Sequence, residues 1–125
     1  MGLNRLDHVN IHTTRVDELV DWYESVLGMK SGPRPDFPFP GAWLYVGEHA
    51  VVHLVGKTAQ PQNIEPRIEH FSFSATGMKE QLERLEKHGV AHTIDPVPGI
   101  PVVQINLRDP DGNHIHVDYH TDEMG

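Results

Sequence analysis

Apolar and polar residues alternate along Leu6-Asp7-His8-Val9-Asn10-Ile11 and again along Ile68-Glu69-His70-Phe71-Ser72-Phe73. Both segments read apolar, acid, His, then alternation, the period of a half-buried strand. The offset between them is 62 residues. A helical stripe follows each one. After the first come Leu19, Val20, Tyr23, Val26 and Leu27, with Gly28 where a helix stop is wanted. After the second come Met78, Leu82 and Leu85, stopped by Gly89. Thr14-x-x-Asp17 has the spacing of a capping box, which would open the first helix. Short strands are predicted near 29–34, 42–47 and 50–55 in the first copy, and near 90–94, 102–108 and 113–119 in the second. Gly47-Glu48-His49 and Asp109-Pro110-Asp111-Gly112 supply turns.

Each copy therefore reads βαβββ, and the fold class is α+β. The last strands match as well, Ala50-Val51-Val52-His53-Leu54 lying over Asn113-His114-Ile115-His116-Val117. The organisation expected is one domain over 1–125, with a first module at about 5–56, a linker at about 57–67 and a second module at about 68–120. Ser31 to Pro40 carries four prolines and two phenylalanines, too many prolines for a central strand, and reads as a loop or lid.

Composition narrows the function. The chain has 125 residues, ordinary charged content and no cysteine, so disulfides, thiolate zinc sites and cysteine nucleophiles are excluded. The absence of cysteine fits a reducing cytosol. Met1 to Leu6 carries no apolar signal region and no apolar run is long enough for a membrane span, so a cytoplasmic protein without a membrane partner is expected. A formal net charge of −8 repels a phosphate backbone, which disfavours nucleic acid as a partner.

Ten histidines change the picture. Superposing the copies puts His8 on His70 and His53 on His116. Two modules related by a pseudo-twofold axis would bring four imidazoles to one place, and neutral imidazole is a good ligand for divalent transition ions. Alternation gives them one face. His8, Asn10 and His12 oppose Val9 and Ile11; His70, Ser72 and Ser74 oppose Phe71 and Phe73; His114, His116 and Asp118 oppose Ile115 and Val117; Gln104, Asn106 and Arg108 oppose Val103, Ile105 and Leu107. Each sheet then has an apolar face for its helix and a polar face carrying ligand types. His12 and His114 sit on that polar face as neighbours, bases or solvated groups. His49, His88 and His120 fall in a turn, a helix end and the tail, and His92 reads as structural.

The segments Leu6-Asp7-His8-Val9, Trp22-Tyr23-Glu24-Ser25-Val26-Leu27-Gly28-Met29, Val51-Val52-His53-Leu54, Glu69-His70-Phe71-Ser72-Phe73 and Asp109-Pro110-Asp111-Gly112-Asn113-His114-Ile115-His116 together resemble the vicinal oxygen chelate superfamily, the glyoxalase, bleomycin-resistance and extradiol-dioxygenase group. The resemblance spans about residues 5 to 120. It implies two βαβββ modules with curled mixed sheets around a cleft that holds a divalent metal ion, Fe, Zn, Ni or Mn. Position by position, the family's ligand places fall on His8, His53, His70 and His116. In glyoxalase I-like members the second and fourth places are Glu, and in extradiol dioxygenases the fourth is Glu. This chain has His at both.

The resemblance implies an enzyme that chelates a small organic substrate through two neighbouring oxygens and stabilises an enolate-type intermediate. A glyoxalase-like lyase or isomerase is favoured over a ring-cleaving dioxygenase using Fe(II). With no Glu at the ligand places, a proton-transferring base falls to His12, Asp118, Tyr119 or an imidazole that leaves the metal. A metal-free drug-binding protein of the bleomycin-resistance kind is a further alternative, with Phe37, Phe39, Trp43 and Tyr45 as aromatic walls. A homodimer is implied too.

Overall fold

The computed structural model describes residues 2, 4–62 and 67–125. Met1, Leu3 and residues 63–66 of the expected linker lie outside the described residues. The chain forms two units, residues 1–62 and 63–125.

The first unit runs β1 (Val9–Thr13), α1 (Val16–Leu27), β2 (Lys30–Gly32), β3 (Gly41–Val46) and β4 (His49–Gly56). Its sheet has the order β1-β4-β3-β2, with β1 parallel to β4 and the other pairs antiparallel. The second unit repeats this as β5 (His70–Ser74), α2 (Met78–Lys87), β6 (His92–Pro96), β7 (Val102–Arg108) and β8 (His114–His120), closed by a 3-10 turn at Thr121–Met124. Its order is β5-β8-β7-β6, with β5 parallel to β8. The two βαβββ modules expected from the periodicity are thus present as two four-stranded mixed sheets, neither closed into a barrel. No helix among the described residues is long and apolar enough to cross a membrane.

Each unit buries the apolar face that alternation assigned. In the first, Leu19, Tyr23 and Val26 of α1 are buried together with Leu44, Val52 and Leu54 of the sheet. In the second, Met78 and Leu85 of α2 are buried, as are Val103, Ile105, Leu107, Ile115, Val117 and Tyr119. Each such aliphatic side chain contributes roughly 1.5–3 kcal/mol on leaving water.

The helix ends depart from expectation. The Thr14–Asp17 capping box does not form. Helix α1 begins one residue later, with Arg15 at the cap and no side-chain cap bond. The Thr14 hydroxyl donates instead to Gln60 Oε1 at 2.7 Å, and Thr13 Oγ1 accepts the Arg15 N–H at 3.0 Å. The far end behaves as expected: Gly28 adopts φ 72°, a left-handed conformation that costs other residues more, and its N–H returns to Glu24 O at 3.1 Å. At α2 the stop consumes Val90, whose N–H bonds Leu85 O at 2.9 Å. That delays β6 to His92, two residues beyond its expected start.

Candidate metal centre

In the first unit the site face is a stack of rings. The Trp43 and His53 rings lie 4.1 Å apart and 10° from parallel, and His53 and His8 lie 3.8 Å apart and 11° from parallel. The register explains the inner pair, since Trp43 sits directly opposite His53 on β3 and β4. His8 enters just before β1, and its Nδ1 is 2.8 Å from Asp7 Oδ2. That hydrogen bond, first among several causes, holds the Asp7 carboxyl below its usual range. Burial, followed by the neighbouring His8, pushes His53 below the ordinary imidazole value and so favours its neutral form. His53 Nε2 lies 3.0 Å from Ala50 O, so it donates there and leaves Nδ1 as the nitrogen with a free lone pair. A groove of about 440 Å³ adjoins these rings, lined also by Arg5, Tyr45 and His49.

In the second unit three imidazoles converge. The His70 and His116 ring centres are 4.3 Å apart, and His70 and His114 are 5.2 Å apart. His114 lies directly opposite His70 across the parallel β5–β8 pair, while His116 lies opposite Ser72. His116 is almost fully buried and its Nδ1 meets Asp118 Oδ1 at 2.6 Å. The other Asp118 oxygen accepts the Ser72 hydroxyl at 3.1 Å. Glu69 spans two rings, meeting His70 Nδ1 at 2.9 Å and His114 Nδ1 at 2.6 Å. The bonds from His114 and then His70 hold the Glu69 carboxyl below its ordinary range.

In each unit the imidazoles have the donor chemistry that a divalent transition ion takes. A histidine ligand normally hands its other ring N–H to a carboxylate or carbonyl, which fixes the tautomer and presents the remaining nitrogen. His8, His70 and His116 have Nδ1 on Asp7, Glu69 and Asp118, which leaves Nε2 free in each. The acid–His dipeptide repeated at 7–8 and 69–70 is the sequence trace of this arrangement. Glu69, His70 and His114 also place one ligand atom each within 4.8 Å of one another.

The other residues singled out from sequence fall as follows. Asp118 is in the cluster, as the partner of His116. His12 is on the exposed face of β1, four residues and about 13 Å of strand beyond His8. Tyr119 is a correction: it sits on the core side of β8, 3% exposed, and burial pushes its hydroxyl up to about 12. A phenol so placed faces away from the rings and stays protonated near neutrality. Phe37 and Phe39 stack on each other and carry the Arg34 guanidinium 5.0 and 5.2 Å above their rings, so they are occupied within their own loop. Sequence reasoning missed the span of Glu69 to His114 and the stacking of Trp43 on His53. The first carried a signal, since Glu69 has the same place in its repeat as Asp7.

Comparison with known proteins agrees with this architecture. The model of the Glyoxalase/Bleomycin resistance protein/Dioxygenase superfamily matches residues 5–117. A protein named Glyoxylase I 4 from Arabidopsis thaliana is 33% identical over 125 aligned residues, covering 94% of this chain and 71% of that one. Among solved structures, a glyoxylase/bleomycin resistance protein/dioxygenase domain from Frankia sp. EAN1pec aligns with TM-score 0.76 at 23% identity, over 95% of this chain and 99% of that one. The trypanothione-dependent glyoxalase I of Leishmania major aligns with TM-score 0.70 at 19% identity, over 98% and 91%. Both structures share the fold. With the family model covering nearly the whole chain and a relative at one-third identity, the protein belongs to the glyoxalase/bleomycin resistance protein/dioxygenase superfamily.

Proposed function

We propose that the chain is a metal-dependent enzyme for a small organic substrate with two neighbouring oxygens, and that its reaction is of the glyoxalase-like lyase or isomerase class. The observation that carries this reading is the shared state of three imidazoles, each with Nδ1 on a carboxylate and Nε2 free. The relative named Glyoxylase I 4 supports the reaction class. His8, His53, His70 and His116 are the proposed ligands of a divalent ion, Fe, Zn, Ni or Mn. When bound, the ion supplies Lewis-acid stabilisation of negative charge developing on the substrate oxygens. The protein's own residues set the conditions for this. Four neutral imidazoles cancel none of a cation's charge, unlike the carboxylates found at two of these places in glyoxalase I-like relatives. Asp118 holds the His116 Nδ1 proton and is itself held by Ser72. Of the three groups considered as bases, Asp118 is the one bonded to a proposed ligand. The groove beside His8 and His53 has the volume for a small organic molecule. A homodimer is proposed as the working form, to be checked by sedimentation.

The test is metal analysis of untagged, reconstituted protein, followed by turnover assays on compounds with a carbonyl beside a hydroxyl or second carbonyl, with and without added thiol. His116→Ala is expected to lose metal and activity, and His88→Ala to be neutral. Equal metal content in wild type and in the His8, His70 and His116 alanine variants would refute the ligand set. Substrate-dependent oxygen uptake with Fe(II) would move the protein to the dioxygenase class. Absence of stoichiometric metal after reconstitution would leave a binding protein.

A further inference from the structure

The hydrogen bonds of the second unit do not stop at Glu69. His114, held at Nδ1 by Glu69, has its other nitrogen, Nε2, 2.9 Å from Asn106 Oδ1. Asn106 is itself oriented, because its Nδ2 donates to Asp95 Oδ2 at 2.9 Å. An amide oxygen only accepts, as does a carboxylate, so each His114 nitrogen faces an acceptor. Both His114 nitrogens are therefore engaged in hydrogen bonds. Both Glu69 oxygens are likewise engaged by imidazole nitrogens.

We propose that Glu69 and His114, backed by Asn106 and Asp95, form a positioning relay that holds the His70 ring with its proton on Nδ1 and its Nε2 presented, and that neither residue is itself a ligand. The proposal rests on His70 being a metal ligand, and it opposes the alternative in which Glu69, His70 and His114 ligate together. The need for a relay follows from exposure. The His116 side chain is 9% exposed and is fixed by packing plus one carboxylate, whereas that of His70 is 42% exposed. An imidazole so open to water would rotate and sample both tautomers. A carboxylate anchored from behind by a second ring removes that freedom before any ion arrives, and partners of this kind change metal affinity about 10–100-fold.

Two readouts on the full chain test the relay. Long-range nitrogen–proton spectra of the metal-free protein at alkaline pH report which His70 nitrogen carries the proton, and chelator competition reports zinc affinity. In wild type the His70 proton is expected on Nδ1. Glu69→Ala should shift it towards the solvent mixture, in which Nε2–H predominates, and weaken zinc binding about 10–100-fold. The Glu69 side chain is 60% exposed, so its removal does not endanger the fold. Asn106→Ala, at the far end, should act in the same direction and less. Glu69→Gln is the rescue: its carbonyl oxygen can accept from His70 while its amide donates to His114 Nδ1, so tautomer and zinc affinity should stay near wild type. Loss of zinc in Glu69→Gln equal to that in Glu69→Ala would make Glu69 a ligand and overturn the relay. An unchanged His70 tautomer in Glu69→Ala would overturn it as well. If wild type binds no zinc, the metal reading fails separately, and the tautomer measurement still decides the relay.

Discussion

On β8 the residues 114, 116 and 118 share one face and 115, 117 and 119 the other, and the two faces are different media. Tyr119 shows what this does to a titrating group. Its hydroxyl is pushed from 10.0 up to about 12, first by burial and then by Glu123. A folded pKa above the unfolded one means the folded state keeps a proton the unfolded state has lost. The stabilisation is whole below pH 10 and is lost as pH rises through about 12. It amounts to about 3 kcal/mol, and Tyr119→Phe should flatten the alkaline limb of stability measured by urea unfolding against pH. His53 has the opposite sign. Its folded pKa lies below the ordinary 6.5, so folding is favoured above that value and weakened as acid protonates the ring. His53→Gln is expected to shrink the loss of stability on acidification below pH 6.5, read from the same urea series.

At the scale of elements, two side chains hold ends together over different distances. Glu123 Oε1 accepts the N–H groups of Gly77 and Met78, both at 2.9 Å, and so caps α2 from the C-terminal turn. Removing it in Glu123→Ala should cost about 1 kcal/mol, seen as a lower thermal midpoint. Asp109 acts within a single turn, accepting from Asp111 N, Asn113 N and Asn113 Nδ2 at 3.0, 2.9 and 2.8 Å. The Asp-Pro-Asp-Gly-Asn motif was readable as a turn because its bonds stay within five residues. The Glu123 cap was not, because nothing local joins positions 45 residues apart. The same contrast explains α1. Thr14 and Asp17 had the right spacing for a box, and Gln60, far along the chain, took the hydroxyl instead.

For the whole molecule, duplication made most of the fold legible. Alternation marked the buried face, and the matched offset marked the equivalence of His8 with His70. What the repeat concealed is where the copies differ. The second has Asp118 beside His116, and the corresponding place in the first holds Val55, so His53 turns to a backbone carbonyl. Ligand loss should reflect this. His116→Glu is expected to retain zinc, since a carboxylate also ligates such ions, while His116→Ala loses it. His53→Ala, removing an imidazole without a carboxylate behind it, should weaken zinc less than His116→Ala in the same chelator competition.

The parallel ladder between β1 and β4 sets an order of events during synthesis. Val9 to Thr13 find their partners only at Val52 to Gly56, so a nascent chain stopped short of residue 49 leaves its opening strand without β4, the strand it pairs with. Once Gly56 has emerged, every strand of that sheet has its backbone mates without help from anything downstream. Ribosome-stalled lengths should therefore gain protease resistance in two steps, one soon after residue 56 clears the exit tunnel and a second once His120 does.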